Sequence, residues 1–151
     1  MKLWWLAVLA IGLVGCGDLT SKLDTAGEAE SSVATEVKQT LQAGDQTFYI
    51  EVASTPAQRE QGLMFVESMP ANQGMLFAWN TVAPRNFWMK NTLIPLDMIW
   101  LDAEKNIVDI QAAEPCKSDP CPIYSGKAPA QYVLELNQGV LRARVGDKVE
   151  F

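Results

Sequence analysis

Short apolar stretches, each followed by a turn sequence, run through residues 37–151 and constrain the fold more than any other feature. In residues 47–53, TFYIEVA, Phe48, Ile50 and Val52 alternate with Thr47, Tyr49 and Glu51, which is the pattern of a half-buried strand. Further strands are expected at 37–42, 74–79, 86–90, 95–102, 107–110 and 131–136, with a last one after the VGDKV turn. Many short strands with frequent turns predict a mainly β domain, a small antiparallel sandwich or barrel.

One short helix is expected at residues 56–61. Thr55 is a favourable N-cap residue, Pro56 suits the first helical position, and Gln58 completes a capping box. Gly62 suits the position just after the helix. The β domain is therefore expected to contain only one or two short helices.

The N-terminus carries the signals of export. Lys2 precedes an apolar run, residues 3–15, which is too short to span a bilayer comfortably and is typical of a secretory signal. Its end, LVGC at 13–16, resembles the bacterial lipobox, in which cleavage falls before a lipid-modified cysteine. The sequence thus predicts a signal peptide at 1–15 and lipidation of Cys16. An ordinary signal peptide, or an uncleaved anchor with Cys16 as a bystander, is the alternative.

Residues 17–36 have the composition of a flexible tether. They lack large aromatics and are rich in Ser, Thr, Ala and acids. With lipidated Cys16 they would join a single domain, residues 37–151, to a membrane. The expected location is the bacterial cell envelope, facing the periplasm. Gly17 after the cysteine makes the outer membrane the default where the host has one.

Charge and residue content exclude several classes of function. The net charge is −6 and the pI about 4.6, which argues against a nucleic-acid partner. The chain has no histidine, so a Ser-His-Asp triad is excluded and the commonest metal ligand is missing. No glycine-rich phosphate loop or dinucleotide fingerprint is found. We therefore predict neither a cofactor nor a metal.

Cys116 and Cys121 lie in the proline-bounded loop PCKSDPCP. In an exported chain, two neighbouring cysteines are expected to form a disulfide. A zinc site requires about four ligands, but the chain has no histidine and its only other cysteine is Cys16, which is expected to be lipidated. Redox catalysis is disfavoured because the spacing is not Cys-x-x-Cys.

Residues 86–100, NFWMKNTLIPLDMIW, combine aromatic residues with Lys90, Asn91 and Asp97. If 86–90 and 96–101 pair as a hairpin, one register places Lys90 opposite Asp97. A slip of one residue pairs Met89 with Asp97 instead, and it moves the side chains of the slipped strand to the opposite face of the hairpin. The stretch is then either a salt-bridged hairpin end or one wall of a pocket, and the sequence does not choose between the two.

Several segments together resemble the DUF192 family, also called ACR/COG1430. They are residues 59–79, 87–102, 114–124, 132–136 and 145–149, in the family's order. The resemblance implies a small β-rich fold of jelly-roll-like type, often exported or membrane-attached, and it implies no function. Arg59, residues 62–64, the stretch 87–97 and Glu135 occupy the family's most characteristic positions.

We predict a small-molecule site built from polar groups inside an apolar wall. Its candidate residues are Arg59, Met64, Met75, Trp88, Lys90, Asn91, Asp97 and Glu135. Trp and Met would supply apolar contact, and Arg59 and Lys90 would meet a polar or anionic group. Asp97 and Glu135 would orient these cations or accept ligand hydroxyls. The expected function is non-catalytic recognition of a small polar or anionic ligand, or of an envelope component.

Three alternatives remain. Asp97 and Glu135 are two carboxylates, which cleave glycosides at a suitable separation, so an envelope glycan hydrolase is one. A partner in the assembly of another envelope protein is the second. A Cu(I) site is the third, since thioethers bind this ion and five methionines lie between 64 and 98. Methionines also fill irregular gaps in a core, and the spacing shows no tight cluster.

Overall fold

The structure is a computed structural model that describes residues 38–151. The predicted signal peptide at 1–15, the lipidation of Cys16 and the tether up to residue 36 lie outside the described residues. Within residues 38–151, no helix is long and apolar enough to cross a membrane.

Strands make up most of the regular structure in residues 38–151, which confirms the prediction of a mainly β fold. Seven strands form one curled sheet, a half-barrel, in the order β6-β5-β8-β3-β2-β1-β9. β4 and β7 form a separate two-stranded sheet. The strands are β1 Gln39–Ala43, β2 Gln46–Ala53, β3 Gln73–Ala83, β4 Asn86–Trp88, β5 Leu96–Leu101, β6 Ile107–Ala113, β7 Ile123–Ser125, β8 Ala130–Asn137 and β9 Val149–Glu150, and the helix is α1 Pro56–Gln61.

The helix α1 forms where its capping sequence predicts it. The Thr55 side chain accepts a hydrogen bond from the backbone N–H of Gln58, and the Gln58 side chain accepts one from the backbone N–H of Thr55. Gly62 ends the helix at φ 46°, and its N–H donates to the Gln58 carbonyl over 2.9 Å. It is the only helix in residues 38–151, where one or two short helices were expected.

One pair of neighbours in the large sheet departs from the antiparallel prediction. β2 and β3 run parallel, with Ile50 opposite Gly74 and Val52 opposite Leu76. Parallel neighbours need a connection that crosses from one end of the sheet to the other. α1 and residues 62–72 supply that connection, and this is how α1 comes to lie beside the sheet.

The hairpin predicted between 86–90 and 96–101 is wrong. β6 and β8 occupy both edges of β5, so no edge is free for β4. β4 pairs instead with β7, where Trp88 lies opposite Ile123. Met89 and Ile94 are buried between the two strands, so this segment crosses the face of the sheet rather than turning at its edge. Neither register considered for Lys90 and Asp97 occurs.

Each face of the large sheet carries a buried hydrophobic cluster. One face carries Leu76, Ile99 and Leu134, which belong to a cluster that includes β1 and β9. The other face carries Phe77, Trp100 and Val133. A covering layer packs on this second face through Leu63, Val66, Met69, Phe87, Met89, Ile94 and Tyr124. The candidate site lies between the second face and the covering layer.

Cys116 and Cys121 are joined in the loop between β6 and β7. Their Sγ atoms lie 2.08 Å apart, which is bonding distance, and their Cα atoms lie 5.5 Å apart. This agrees with the disulfide expected from the sequence. Cys116 packs against the second cluster, so the bond ties the covering layer to the loop that leads into β7.

Candidate functional site

Glu135 is a buried carboxyl group in the middle of the large sheet. On β8 it lies opposite Met75 of β3 and opposite Met98 of β5, so thioether side chains flank it on both sides. Its exposed fraction is 4%, and no group in residues 38–151 donates a hydrogen bond to the carboxyl. Burial in these apolar surroundings raises the pKa of Glu135 to about 8. The side chain is therefore largely protonated at neutral pH.

A small cavity lies over the Glu135 carboxyl, under the covering layer. Its volume is about 30 Å³, and its walls come from α1, the loop after it, β3, β4 and Thr92. A space of this size holds a water molecule or one small chemical group. Four predicted residues line it, namely Arg59, Met64, Trp88 and Glu135.

Gly62 brings the end of α1 close enough to the sheet to wall the cavity. A Cβ atom at this position would lie 3.2 Å from the Phe77 ring, and the backbone has φ 46°, a value that favours glycine. The chain therefore passes directly over Phe77. A larger residue at 62 would push α1 away from the Glu135 cavity.

Arg59 reaches past the cavity to the end of β3. Its Nη1 donates to the Ala78 carbonyl over 3.0 Å and also to the Ser54 carbonyl. Its guanidinium carbon lies 5.2 Å from the centroid of the Trp79 ring. Arg59 thus lines the cavity with part of its side chain, while its charge is held at the Trp79 side.

Two residues in the left-handed backbone region hold Met64 over the cavity. Phe65 has φ 64° and Asn91 has φ 59°, and the Phe65 N–H donates to the Asn91 carbonyl over 2.8 Å. This arrangement sets Met64 against Thr92 in an isolated bridge. Asn91 also lies near the thioether, with Nδ2 3.9 Å from Met64 Sδ. Asn91 is therefore a support for the wall and does not line the cavity.

Thr92 lines the cavity and was not among the predicted site residues. It is 7% exposed, and no hydrogen bond of its hydroxyl to another group is found in residues 38–151. It lies between buried Met89 and buried Ile94. The sequence did carry a signal for Thr92, which is a polar residue among apolar ones. The hairpin interpretation placed Thr92 in the loop between two strands, so it was not considered as a site residue.

Lys90 lies outside the cavity. Its Nζ is 3.5 Å from Asp119 Oδ1 and 5.7 Å from the centroid of the Trp88 ring. Both partners of this ion pair are exposed, so it contributes little to stability. Trp88 is half exposed beside it and presents another part of its ring to the cavity.

Asp97 is separated from Glu135 by the sheet itself. Met98 pairs with Glu135, and Asp97 is the next residue along β5, so its side chain points to the opposite face. Asp97 Oδ2 accepts a hydrogen bond from the Gly139 N–H over 2.8 Å and stabilises the turn after β8. The two carboxylates therefore do not face one cleft, which removes the basis for a glycan hydrolase built on Asp97 and Glu135.

Met75 lines a second, larger opening next to the Glu135 cavity. This cleft has a volume of about 660 Å³ and lies between α1, β2 and β3. It shares Gln61 and Gly62 with the Glu135 cavity. Val52, Ala53, Ala57 and Met75 make much of its wall apolar, while Glu51 and Gln58 add polar groups. Its volume falls in the range of small-molecule sites.

The methionines pack around the same region. Met89 and Met98 are buried in the second cluster, Met69 and Met75 pack against it, and Met64 lines the cavity. Thioether side chains adapt to irregular gaps, and this packing is of that kind.

A half-barrel sheet with a buried carboxyl under a covering layer defines the class of this protein, a small β domain. The chain belongs to the DUF192 family, because the family described as "Uncharacterized ACR, COG1430" matches residues 37–151. That description assigns no activity.

Two archaeal relatives match part of the chain. The UPF0127 protein TK1120 of Thermococcus kodakarensis is 30% identical over 95 residues, which is 62% of this chain and 56% of that protein. The UPF0127 protein PYRAB11210 of Pyrococcus abyssi is 42% identical over 59 residues, 37% of this chain and 46% of that protein. The chain thus spans about half the length of these two relatives.

Two crystal structures share the fold. A protein of unknown function from Novosphingobium aromaticivorans superposes with a TM-score of 0.71 at 30% identity, covering 89% of this chain and 100% of that one. R01717 from Sinorhizobium meliloti 1021, named there as a candidate transcription regulator, gives a TM-score of 0.66 at 36% identity, covering 74% of this chain and 89% of that one. The fold is therefore shared with solved bacterial proteins.

Proposed function

We propose that this protein recognises a small polar or anionic ligand, without catalysis, by admitting one polar group of it into the Glu135 cavity. The observation that carries the proposal is the buried Glu135 carboxyl, which opens on a cavity and receives no hydrogen bond from residues 38–151. No side-chain N or O atom in residues 38–151 is both fully buried and without a partner, so the carboxyl oxygens are accessible from the cavity. A ligand group in the cavity can form the hydrogen bond that the protein itself does not supply.

The protonation of Glu135 determines which ligand groups fit. Because burial raises the pKa of Glu135 to about 8, the carboxyl carries a proton at neutral pH and donates it in a hydrogen bond. The matching ligand group is an acceptor, such as a carbonyl, carboxylate or hydroxyl oxygen. The Thr92 hydroxyl in the same wall is a second hydrogen-bonding group.

The rest of the ligand needs a larger space than the cavity. The cleft lined by Met75 adjoins the cavity at Gln61 and Gly62 and has the volume for it. Its apolar wall would contact the body of the ligand, and Met64 and Trp88 would close the cavity on the other side. In this proposal Arg59, Met64, Met75, Trp88 and Glu135 form the ligand site.

The proposal also places the domain in the bacterial envelope, where Cys16 anchors it to a membrane through lipid and the domain faces the periplasm. The support is the LVGC sequence at 13–16 and the tether composition that follows it. The wild-type protein should incorporate a labelled fatty acid in a bacterial host, and Cys16→Ser should not. No incorporation in the wild-type protein, or equal incorporation in Cys16→Ser, would contradict the lipid anchor.

A thermal-shift screen with the Glu135→Met variant tests the ligand site. Carboxylic acids, amides, sugars and inorganic phosphate are the probes, because a specific ligand raises the Tm by mass action. We expect at least one class to raise the Tm of the wild-type protein at pH 6.5. Glu135→Met keeps the volume and matches the flanking Met75 and Met98, so it should fold and lose the shift.

The control is Glu67→Gln, which changes an exposed acid in the covering loop. It should respond to the same probe as the wild-type protein does. If a ligand raises the Tm of Glu135→Met as much as it raises the Tm of the wild-type protein, that ligand binds outside the Glu135 cavity. No shift with any class, together with recovery of a stable protein partner, would replace the ligand site with an assembly role.

A further inference from the structure

Two arginines converge on Trp79 in the second half of β3, and neither Trp79 nor Arg85 lines the Glu135 cavity. The guanidinium carbon of Arg85 lies 4.2 Å from the centroid of the Trp79 ring, and that of Arg59 lies 5.2 Å from it. Neither arginine forms a salt bridge with a carboxylate of residues 38–151. A chain of net charge −6 thus holds two cations together without an acid between them.

The sheet explains how these arginines are held. The pairing of β3 with β8 is interrupted between Ala78 and Ala83, so residues 79–82 bulge out of the ladder. Arg59 donates to the Ala78 carbonyl over 3.0 Å, and Arg85 Nη2 donates to the Thr81 carbonyl over 2.5 Å. Arg85 Nε also donates to the Ala130 carbonyl over 3.3 Å. Both guanidinium groups are therefore fixed in place by backbone groups before any ligand arrives.

Each guanidinium keeps donors that these contacts do not use. A guanidinium carries five N–H donors, and the bonds described leave Nη2 of Arg59 and Nη1 of Arg85 free of partners in residues 38–151. Beside Arg59 is a cleft of about 270 Å³ lined by Ser54, Arg59, Ala78, Trp79, Asn80 and Thr81. Arg85 does not line this cleft but reaches its edge, where Nη2 donates to the Thr81 carbonyl. The cleft is large enough for a small oxyanion.

The charges also favour an anion at this place. Partial burial and the nearby charge of Arg59 lower the pKa of Arg85, so the two cations destabilise one another. An anion in the cleft would offset that repulsion, accepting from Arg59 in the wall and from Arg85 at the Thr81 edge. Arginine pairs suit this task because each presents a planar fork to oxygen atoms.

We propose that Arg59, Arg85 and Trp79 form an oxyanion-binding site at the β3 bulge, which takes a phosphate, sulfate or carboxylate group. Arg59 lines the cleft, Arg85 borders it beside Thr81, and both guanidinium groups lie against the Trp79 ring. The site shares Arg59 with the Glu135 cavity, but its chemistry does not depend on Glu135. It would stand even if the Glu135 cavity proved to bind nothing.

Titration of the full-length protein with inorganic phosphate, sulfate and acetate tests this site by NMR. The indole N–H of Trp79 and the side-chain N–H of Arg85 are the reporters. At low ionic strength we expect saturable shifts of both signals with at least one anion. The shifts should weaken with added sodium chloride, because salt screens the interaction. If phosphate binds most tightly, the natural ligand is expected to carry a phosphate group. If acetate binds most tightly, a carboxylate group is expected instead.

Arg85→Gln should lower the affinity at least about tenfold, since it removes one of the two cations. The matched control is Arg142→Gln, because Arg142 is an exposed arginine paired with Asp45 over 3.0 Å. Unchanged binding in Arg85→Gln, or no saturable shift in the wild-type protein, would overturn the site. If Arg85→Gln fails to fold, the wild-type titration decides alone. Glu135→Met should leave anion binding unchanged, which separates this site from the Glu135 cavity.

Discussion

The free energy of unfolding of the wild-type protein is expected to fall as the pH rises from about 5 to about 9, relative to Glu135→Gln. The pKa of Glu135 is about 8 in the folded chain, against an ordinary value of 4.5. Between these values the folded protein holds a proton that the unfolded chain has lost. Stability therefore decreases with pH across this window and stops decreasing above the folded-state pKa.

The size of the change follows from the separation of the two pKa values. Each pKa unit of separation corresponds to about 1.4 kcal/mol, so the free energy of unfolding is expected to fall by a few kcal/mol. Urea denaturation at a series of pH values measures it. Glu135→Gln replaces the protonated carboxyl with a neutral amide and should remove this part of the pH dependence.

Glu67→Gln is the control, because it changes an exposed acid and should follow the wild-type curve. Parallel curves for the wild-type protein and Glu135→Gln would show that the Glu135 carboxyl is already ionised in the folded protein. That outcome would also remove the proton donor from the proposed ligand site.

Trp100→Ala is expected to lower the free energy of unfolding by about 3–5 kcal/mol, the usual cost of truncating a buried aromatic residue. Trp100 is fully buried on β5, and its Nε1 donates to the Arg85 carbonyl over 3.0 Å. A Cβ atom at Gly126 would lie 2.5 Å from Trp100 Cδ1, so the chain leading away from β7 packs directly against the indole. The side chain thus holds the two-stranded sheet against the large one.

Trp88→Ala is the matched control, because Trp88 and Trp100 both lie in the stretch 86–100. Trp88 is 48% exposed, so we expect a loss of about 1 kcal/mol or less. Urea denaturation of both variants gives the comparison. Similar losses for the two variants would contradict the burial of Trp100 and the exposure of Trp88, and with them the position of β4 in the fold.

Local signals account for the parts of the fold that were predicted. Thr55, Pro56 and Gln58 determine the start of α1 by contacts within four residues, so the sequence is enough to locate it. The alternation in residues 47–53 likewise predicts β2, which extends over Gln46–Ala53. Such features depend on neighbours in the sequence and need no knowledge of the rest of the chain.

Long-range pairing accounts for the parts that were not predicted. β7 is a three-residue strand, Ile123–Ser125, too short to produce a periodic pattern. Without it, the nearest strand after β4 is β5, and a hairpin is the natural expectation. The parallel pairing of β2 with β3 depends on the path of residues 62–72, which no local pattern specifies.

The candidate site, like the fold, contains residues that the sequence predicted and residues whose position depends on long-range pairing. Arg59, Met64, Trp88 and Glu135 were predicted and line one cavity, and all four lie at positions that the resemblance to the DUF192 family marks as characteristic. Asp97 was predicted with them, but its face depends on the register of β5 against β8, which places it away from Glu135. Arg85 and Trp79 were missed, since only the bulge in β3 brings them to Arg59.

The central claim is that a ligand group enters the cavity beside Glu135. NMR of methyl-labelled methionine measures this directly, because Met75 and Met98 flank the carboxyl and Met64 lines the cavity. With the ligand class found by thermal shift, we expect saturable shifts of these three methyl signals in the wild-type protein at pH 6. The shifts should weaken at pH 9, where Glu135 has lost its proton. Methyl signals of Met64, Met75 and Met98 that stay unchanged at saturating ligand would contradict the account.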